Sequence, residues 1–314
     1  EMKNVRVAFF TEAGHSRGMG HLIRSFVISE KLKSLGVETF FFLDSNIFFN
    51  GKFKEITYFD WGKFDISNNY DIIFIDSYEA DIGVYQQISN ACKVAVYVDD
   101  FKRLDYPKGV ILNFAPDAGE LFYKDKEERL HYLLGLKYLP LRDGFVNATR
   151  EKKKQMFIML GGSDTANLSL DVIDALKDSN ICKIVVSNDL STTKSLKKYQ
   201  NVEVLYKPSD VQLIKAMASS SVAISTASMG AYELAYLKIP TIIVAVSKNQ
   251  EMGVSQFIKH NLASGFVSIE NNSWKNDVKN KIESILEQSN YHIDNSIDGS
   301  GASNIANEVL ELLQ

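Results

Sequence analysis

Gly18-Met19-Gly20-His21 is the stretch of this chain best equipped for chemistry. Two glycines let backbone approach a ligand closely, and a histidine stands where a helix should begin. A helix start offers N–H groups that favour an anion, and its dipole favours a neutral imidazole able to accept a proton. The same residues would also make a tight strand-to-helix turn capped by a histidine. Further on, Asp76, Asp99, Asp100 and Asn113 each close an apolar run. If those runs are parallel strands, their polar ends share the edge at which open α/β sheets bind ligands. Helix capping and turn formation would put the same residue types there. Three polar loops follow apolar runs in the second half: Gly161 to Asn167, Ser225 to Gly230, and Ser247 to Glu251. Small and hydroxyl residues at helix starts can donate to phosphate or serve as ordinary caps.

Several other chemistries find no support. The first loop is not Gly-x-Gly-x-x-Gly, and no Lys-[Ser/Thr] follows the Gly161 loop, so neither a dinucleotide fingerprint nor a Walker loop is indicated. Gly14-His15-Ser16-Arg17-Gly18 matches Gly-x-Ser-x-Gly by letters only. Ser16 lies several residues past the strand, whereas a nucleophile elbow turns straight from strand to helix. No metal-binding spacing occurs, so no bound metal and no cofactor are expected.

These residues need a scaffold, and hydrophobic periodicity supplies one. Val5 to Phe10 reads as a buried strand and Leu22 to Leu35 as a helix. Strands are predicted at 37–43, 70–78, 93–100 and 109–113, with a helix at 81–91. The aromatic stretch 45–63 reads as irregular, and 131–145 fits no pattern. The charged run Arg150 to Lys154 reads as a linker. Beyond it, strands at 155–160, 182–187, 202–206, 222–225, 240–246 and 265–269 alternate with helices, ending in a helix at 305–313. Such alternation predicts parallel sheets with right-handed crossovers. The expected domains are therefore 1–149 and 150–314, a suitable division of 314 residues.

Composition narrows the class. Apolar residues make up 45% and charged residues 24%, ordinary for a globular chain. A net charge of −4 gives no basic footprint for nucleic acid. No run is long enough to cross a membrane, so stable membrane insertion is not expected, and no signal peptide precedes Val5. Cys92 and Cys182 are expected to be reduced core residues, consistent with a cytoplasmic protein. A monomer is expected.

An ordered set of short motifs resembles the PseG family, UDP-sugar hydrolases of pseudaminic acid biosynthesis that are themselves similar to the MurG glycosyltransferases. The matches are Gly18-Met19-Gly20-His21 with Arg24, Ile75-Asp76-Ser77-Tyr78, Val98-Asp99-Asp100 and Leu112-Asn113. They continue with Gly135 to Tyr138, Leu141-Arg142 with Phe145, Met159 to Asp164, and Asn167 to Leu170. Ile224 to Ser228 with Glu233, and Lys248-Asn249-Gln250-Glu251, complete them. The resemblance implies an α/β fold of two Rossmann-like domains facing across a cleft, the GT-B architecture. The first domain would carry the catalytic loop and sugar side, and the second would bind the UDP moiety. It implies that water displaces UDP, with inversion, from a UDP-linked 2,4-diacetamido-2,4,6-trideoxy sugar.

By similarity, His21 is the catalytic residue, orienting or deprotonating water. Glu233 would hold the ribose hydroxyls, and Ser228 with Asn249 and Gln250 would face diphosphate and sugar. Gly20, Arg24, Asp76, Tyr78, Asp99, Asn113, Tyr138, Arg142, Gly162, Ser163 and Asn167 complete the expected substrate contacts. The chain departs from the family at Phe10 to His15, at Asp76-Ser77-Tyr78-Glu79 (Asp-His-Tyr-Gly in the family), and at Arg142-Asp143-Gly144-Phe145 (Arg-Glu-Glu-Phe). These positions would lie on the sugar side. The alternatives are a GT-B glycosyltransferase that moves the sugar to an acceptor, for which the aromatic stretch Ile47 to Trp61 could serve as a surface patch, and a catalytically silent nucleotide-sugar-binding protein.

Overall fold

The computed structural model describes residues 5–15, 17–49, 53, 55–161, 168–246, 248–288, 291 and 293–314, with backbone alone for 248–252. The chain is α/β and divides into two units, Glu1–Leu141 with Asp298–Gln314, and Arg142–Ile297. The first unit contains β1 (Arg6–Ala13), α1 (Gly20–Ser34), β2 (Glu38–Ser45), β3 (Ile56–Tyr58), β4 (Ile72–Asp76), α2 (Ile82–Ala91), β5 (Val94–Val98), β6 (Gly109–Asn113), α3 (Ala118–Leu121) and β7 (Leu130–Leu134). Its seven-stranded sheet runs β3-β2-β1-β4-β5-β6-β7, parallel throughout.

The order turns back on itself between β1 and β4, which places the first loop at a topological switch point. The register pairs Thr11 with Asp76, so β1 runs on past the end of β4 and lifts its loop above the Asp76 carboxylate. Phe9 stacks between Phe41 and Phe74, with ring centroids 5.8 and 4.6 Å away. One helix face buries Leu22, Ser25, Ile28, Ser29 and Leu32 of α1. His21 and Arg24 continue that buried face at its N-terminal end, each four residues before another member, Ser25 and Ile28. The packing that docks α1 on the sheet therefore also aims both polar side chains inward.

The second unit begins with α4 (Asp143–Val146), then alternates β8 (Gln155–Met159), α5 (Leu168–Ala175), β9 (Cys182–Ser187), α6 (Leu190–Leu196), β10 (Val202–Tyr206), α7 (Asp210–Ala218), β11 (Val222–Thr226), α8 (Met229–Tyr236), β12 (Thr241–Ala245), α9 (Lys248–Lys259), β13 (Gly265–Ser268) and α10 (Trp274–Glu287). Its six-stranded parallel sheet runs β10-β9-β8-β11-β12-β13. Strands such as Val222–Thr226 and Thr241–Ala245 are buried along their whole length, as expected where helices cover both faces.

Four expectations need correction. The units part at Leu141, not at the charged run, because Arg142 and Phe145 pack with the second unit. The C-terminal helix α11 (Gly301–Glu311) belongs to the first unit, where it packs on α1 and the 3-10 turn Leu136–Tyr138. Residues from Lys248 onward form α9, so Asn249 and Gln250 sit on a helix, not in a loop. Cys182 opens β9 in an exposed position, and only Cys92 is half-buried, with its thiol pushed up to about 12 by burial. Among the described residues, no helix is long and apolar enough to cross a membrane.

A Cβ at Gly301 would come within 1.9 Å of the Leu139 carbonyl oxygen, a backbone atom that cannot step aside. Gly301→Ala is therefore expected to loosen α11 and lower the stability of the first unit by about 1–3 kcal/mol, read by urea unfolding. An unchanged midpoint would show that α11 is not docked there.

Candidate active site

His21 lies in the first turn of α1, and no side chain caps that helix start. The loop before it closes on itself through paired Gly14 and Gly18 backbone bonds of 3.1 and 2.9 Å. Gly18 adopts φ +70, with open space where a Cβ would stand. A side chain there would be strained by the left-handed backbone, although no atom stands in its way.

The centre of the site is Asp76, buried at the end of β4. Its Oδ1 lies 2.5 Å from His21 Nδ1 and accepts from Arg24 Nη2 at 2.7 Å. Its Oδ2 accepts from Arg24 Nε at 2.5 Å and from Ser25 Oγ at 3.4 Å. Arg24 also reaches Asp100, through Nη1 at 2.8 Å and Nη2 at 3.0 Å. Both protons on Nη2 are thus committed to carboxylates, so the 3.1 Å approach of Nη2 to His21 Nδ1 leaves no proton for the ring. Nδ1 must therefore be the donor to Asp76, and in the neutral ring the lone pair then lies on Nε2. This is the tautomer a general base requires.

Burial alone would push Asp76 up and discharge Arg24. Arg24 and His21 outweigh that burial and hold the Asp76 carboxyl far below the usual carboxylate range. Burial likewise disfavours the Arg24 cation, but Asp100 and Asp76 raise it well above its ordinary value. Asp100 is also lowered, burial opposing and Arg24 prevailing. Carboxyls depressed in the fold release their protons more readily than in the unfolded chain, where aspartate titrates near ~3.9. Their stabilisation is complete above about pH 4 and is lost as pH falls through the folded-state values. The urea midpoint is therefore expected to drop steeply below about pH 4, and less steeply in Asp76→Asn. Equal slopes would contradict this account.

Tyr78 and Glu12 complete the site. The Tyr78 hydroxyl donates to Asp100, and its ring packs perpendicular to that of His21, centroids 4.4 Å apart at 87°. Glu12, a buried carboxylate in β1, accepts from Trp61 Nε1 at 2.8 Å, from the Tyr78 backbone N–H at 2.7 Å and from the Ser77 hydroxyl. Arg17, in the loop, donates to Glu79 at 2.8 and 2.6 Å and to Asp44 Oδ1 at 2.7 Å. Glu12, Ser77 and Glu79 thus form one interlocked set around Tyr78. Motif spacing gave no hint of Glu12, which sits inside an apolar strand.

Asp99 and Tyr138 were expected at the substrate, and the structure gives both internal partners. Asp99 accepts from Lys102 N at 2.6 Å, Arg103 N at 3.0 Å, the Tyr106 hydroxyl at 2.6 Å and the Tyr123 hydroxyl. It fastens the loop after β5, while Asp100 faces Arg24. Buried Tyr138 donates to Glu308 of α11 at 3.0 Å. Asn113, at the end of β6, is buried, and its Nδ2 has no hydrogen-bond partner among the described residues. A buried unpaired donor costs about 1–3 kcal/mol, which a ligand acceptor would recover.

A second cluster lies in the second unit. Buried Glu233 of α8 accepts from Arg142 Nε at 2.8 Å and pairs with Nη2 at 2.6 Å, while Arg142 Nη1 reaches Asp210 at 2.9 Å. Arg142, expected on the sugar side with the first half, therefore belongs with Glu233. Ser228 precedes α8 without capping it through its side chain. Gly162, Ser163 and Asn167, and the side chains of Asn249 and Gln250, lie outside the described residues. No group of three or more His, Cys, Asp or Glu among the described residues could hold a metal ion.

No protein-family model matches the chain. An uncharacterised protein of Methanocaldococcus jannaschii is 26% identical over 289 residues, 81% of this chain and 58% of the relative. The pseudaminic acid cytidylyltransferase and UDP-2,4-diacetamido-2,4,6-trideoxy-beta-L-altropyranose hydrolase of Helicobacter pylori is 26% identical over 261 residues, 81% of this chain and 47% of that protein. The UDP-2,4-diacetamido-2,4,6-trideoxy-beta-L-altropyranose hydrolase of Campylobacter jejuni is 31% identical over 124 residues, 37% of this chain and 44% of that protein. The chain spans about half the length of these curated relatives.

Among solved structures, UDP-GlcNAc 2-epimerase of Methanocaldococcus jannaschii, in complex with UDP-GlcNAc and UDP, superposes with a TM-score of 0.66 at 8% identity, covering 98% of this chain and 100% of that one. MurG of Acinetobacter baumannii gives 0.58 at 10% identity, covering 98% and 99%. In sequence the chain is similar to the PseG-type hydrolases that its motifs resemble, and in fold it is an α/β protein of two Rossmann-like domains, as in UDP-sugar enzymes of the GT-B type.

Proposed function

We propose that this chain is a UDP-sugar hydrolase acting on a UDP-linked 2,4-diacetamido-2,4,6-trideoxy sugar, a step of pseudaminic (nonulosonic) acid biosynthesis. The observation that carries this reading is the His21–Asp76 pair, whose geometry makes Nδ1 the donor and Nε2 the base. The names of the Helicobacter and Campylobacter relatives support it, because hydrolysis is the activity they have in common.

In the proposed reaction, His21 Nε2 takes a proton from water as the water oxygen bonds to the anomeric carbon. The bond from that carbon to the diphosphate oxygen breaks, and its electron pair leaves with UDP. Attack from the face opposite UDP inverts the centre. Asp76 holds the imidazole in the required tautomer and stabilises the imidazolium that forms, the role a carboxylate plays behind a catalytic histidine elsewhere. UDP is a good leaving group, so activated water, positioning and anion stabilisation are what the site must supply. Gly20, Arg24, Tyr78 and Asn113 are assigned to the sugar side. Glu233, with Arg142 behind it, is assigned to the ribose of UDP. The Ser228 helix start, the Gly162-Ser163 loop with Asn167, and Asn249 with Gln250 are assigned to the diphosphate.

UDP release from a panel of UDP-sugars, with and without acceptor alcohols, tests the proposal. Release without acceptor is expected for the diacetamido trideoxy sugar. Release only with acceptor would make the chain a transferase, and binding without turnover would make it a silent binding protein.

A further inference from the structure

The sugar side of the site carries two large aromatic rings at its surface. Tyr78 follows β4 and Phe101 follows β5, at the sheet edge that bears Asp76 and Asp100. Their ring centroids lie 5.6 Å apart, tilted by 53°, and Tyr78 in turn packs at a right angle to the His21 ring. Both stay about half exposed, 47% for Tyr78 and 49% for Phe101. Polar bonds beneath fix the chain on which each ring stands. Tyr78 is anchored by its backbone N–H to Glu12 and by its hydroxyl to Asp100. The residues flanking Phe101 are held in the same way, Asp100 by Arg24, and the Lys102 and Arg103 N–H groups by Asp99. An aromatic pair left open on a rigidly held edge, one ring away from the candidate base, is built to receive an apolar surface.

We infer that Phe101, together with Tyr78, forms a wall that takes the C–H-rich face of a deoxy, N-acylated sugar and so selects such sugars over fully hydroxylated ones. This rests on the UDP-sugar reading above. The ring faces offer nothing to replace the water that a hydroxyl would lose on docking, whereas a methyl group or ring C–H loses nothing there. A single apolar group placed against such a wall is worth about 10-fold or more in discrimination. Phe101 does not touch the reacting atoms in this account, so its loss should raise KM for the diacetamido trideoxy substrate by about 10-fold and leave kcat nearly unchanged.

Saturation-transfer NMR on the full chain tests this directly, in a His21→Asn background that keeps the UDP-linked 2,4-diacetamido-2,4,6-trideoxy sugar intact. The uracil protons serve as an internal reference for nucleotide binding. In the parent, the C6 and acetamido methyl signals should be strongly saturated relative to uracil. Phe101→Ala should reduce them several-fold with uracil unchanged, and Phe101→Tyr, which keeps the ring, should restore them. Unreduced methyl signals in Phe101→Ala, beside normal uracil signals, would overturn the wall while leaving the hydrolase reading intact. Absent uracil signals in the parent would overturn the UDP-sugar reading, and this inference with it.

Discussion

Replacing His21 by asparagine is expected to lower kcat by about 10²–10⁴, the range that general acid–base catalysis supplies. UDP affinity should be unchanged, because the nucleotide is assigned to the second unit. Asparagine can still donate its amide N–H to Asp76, but it offers no basic nitrogen to take a proton from water. A purely structural histidine would behave otherwise, with a cap-sized loss of ~1 kcal/mol in stability and turnover per folded molecule nearly intact. Melting temperature, UDP affinity by calorimetry and kcat on the one variant separate the two. An unchanged kcat beside a lowered melting temperature would remove His21 from the mechanism.

The second large effect is expected at Arg24. Its guanidinium holds two carboxylates, Asp76 and Asp100, by four hydrogen bonds of 2.5 to 3.0 Å. Arg24→Met keeps much of the volume and leaves both carboxylates without their cation, Asp76 fully buried. Removing one partner of a buried ion pair costs about 3–5 kcal/mol, and here one cation serves two anions. The loss should fall on the first unit. Of the two tryptophans, Trp61 lies in that unit and Trp274 in the other, so Trp61 emission in a Trp274→Phe background reports it alone. Unfolding should come at markedly lower urea, and residual activity should be small even where the protein is folded, because Asp76 then has no fixed orientation. A variant of wild-type stability would show that the Asp76–Arg24–Asp100 cluster is not the buried linchpin described above.

Much of this was legible in the chain because the signals are local. The opening strand, the Gly18-Met19-Gly20-His21 loop and α1 follow from an apolar run, two glycines and a helical stripe. Asp76 and Asn113 close their strands in both readings. What was not legible depends on contacts distant in sequence. Which of Asp99 and Asp100 faces the site is decided by the turn after β5, and adjacent acids look alike in a sequence. Glu12 is unreadable for the opposite reason, since a carboxylate inside an apolar strand makes sense only once Trp61, Ser77 and Tyr78 arrive to bond it. Residues Ile56–Tyr58 form an edge strand too short to show a period. The return of α11 to the first unit is set by its apolar face meeting α1, far away in the sequence.

The central claim, that His21 directs water to the anomeric carbon, is tested most directly by turnover of the UDP-linked diacetamido trideoxy sugar in ¹⁸O-labelled water. The account predicts UDP release without any acceptor, with the label in the anomeric hydroxyl of the sugar and none in UDP. Label in the phosphate would place the attack on phosphorus, and no release of UDP would remove water as the acceptor. Either result would contradict the claim.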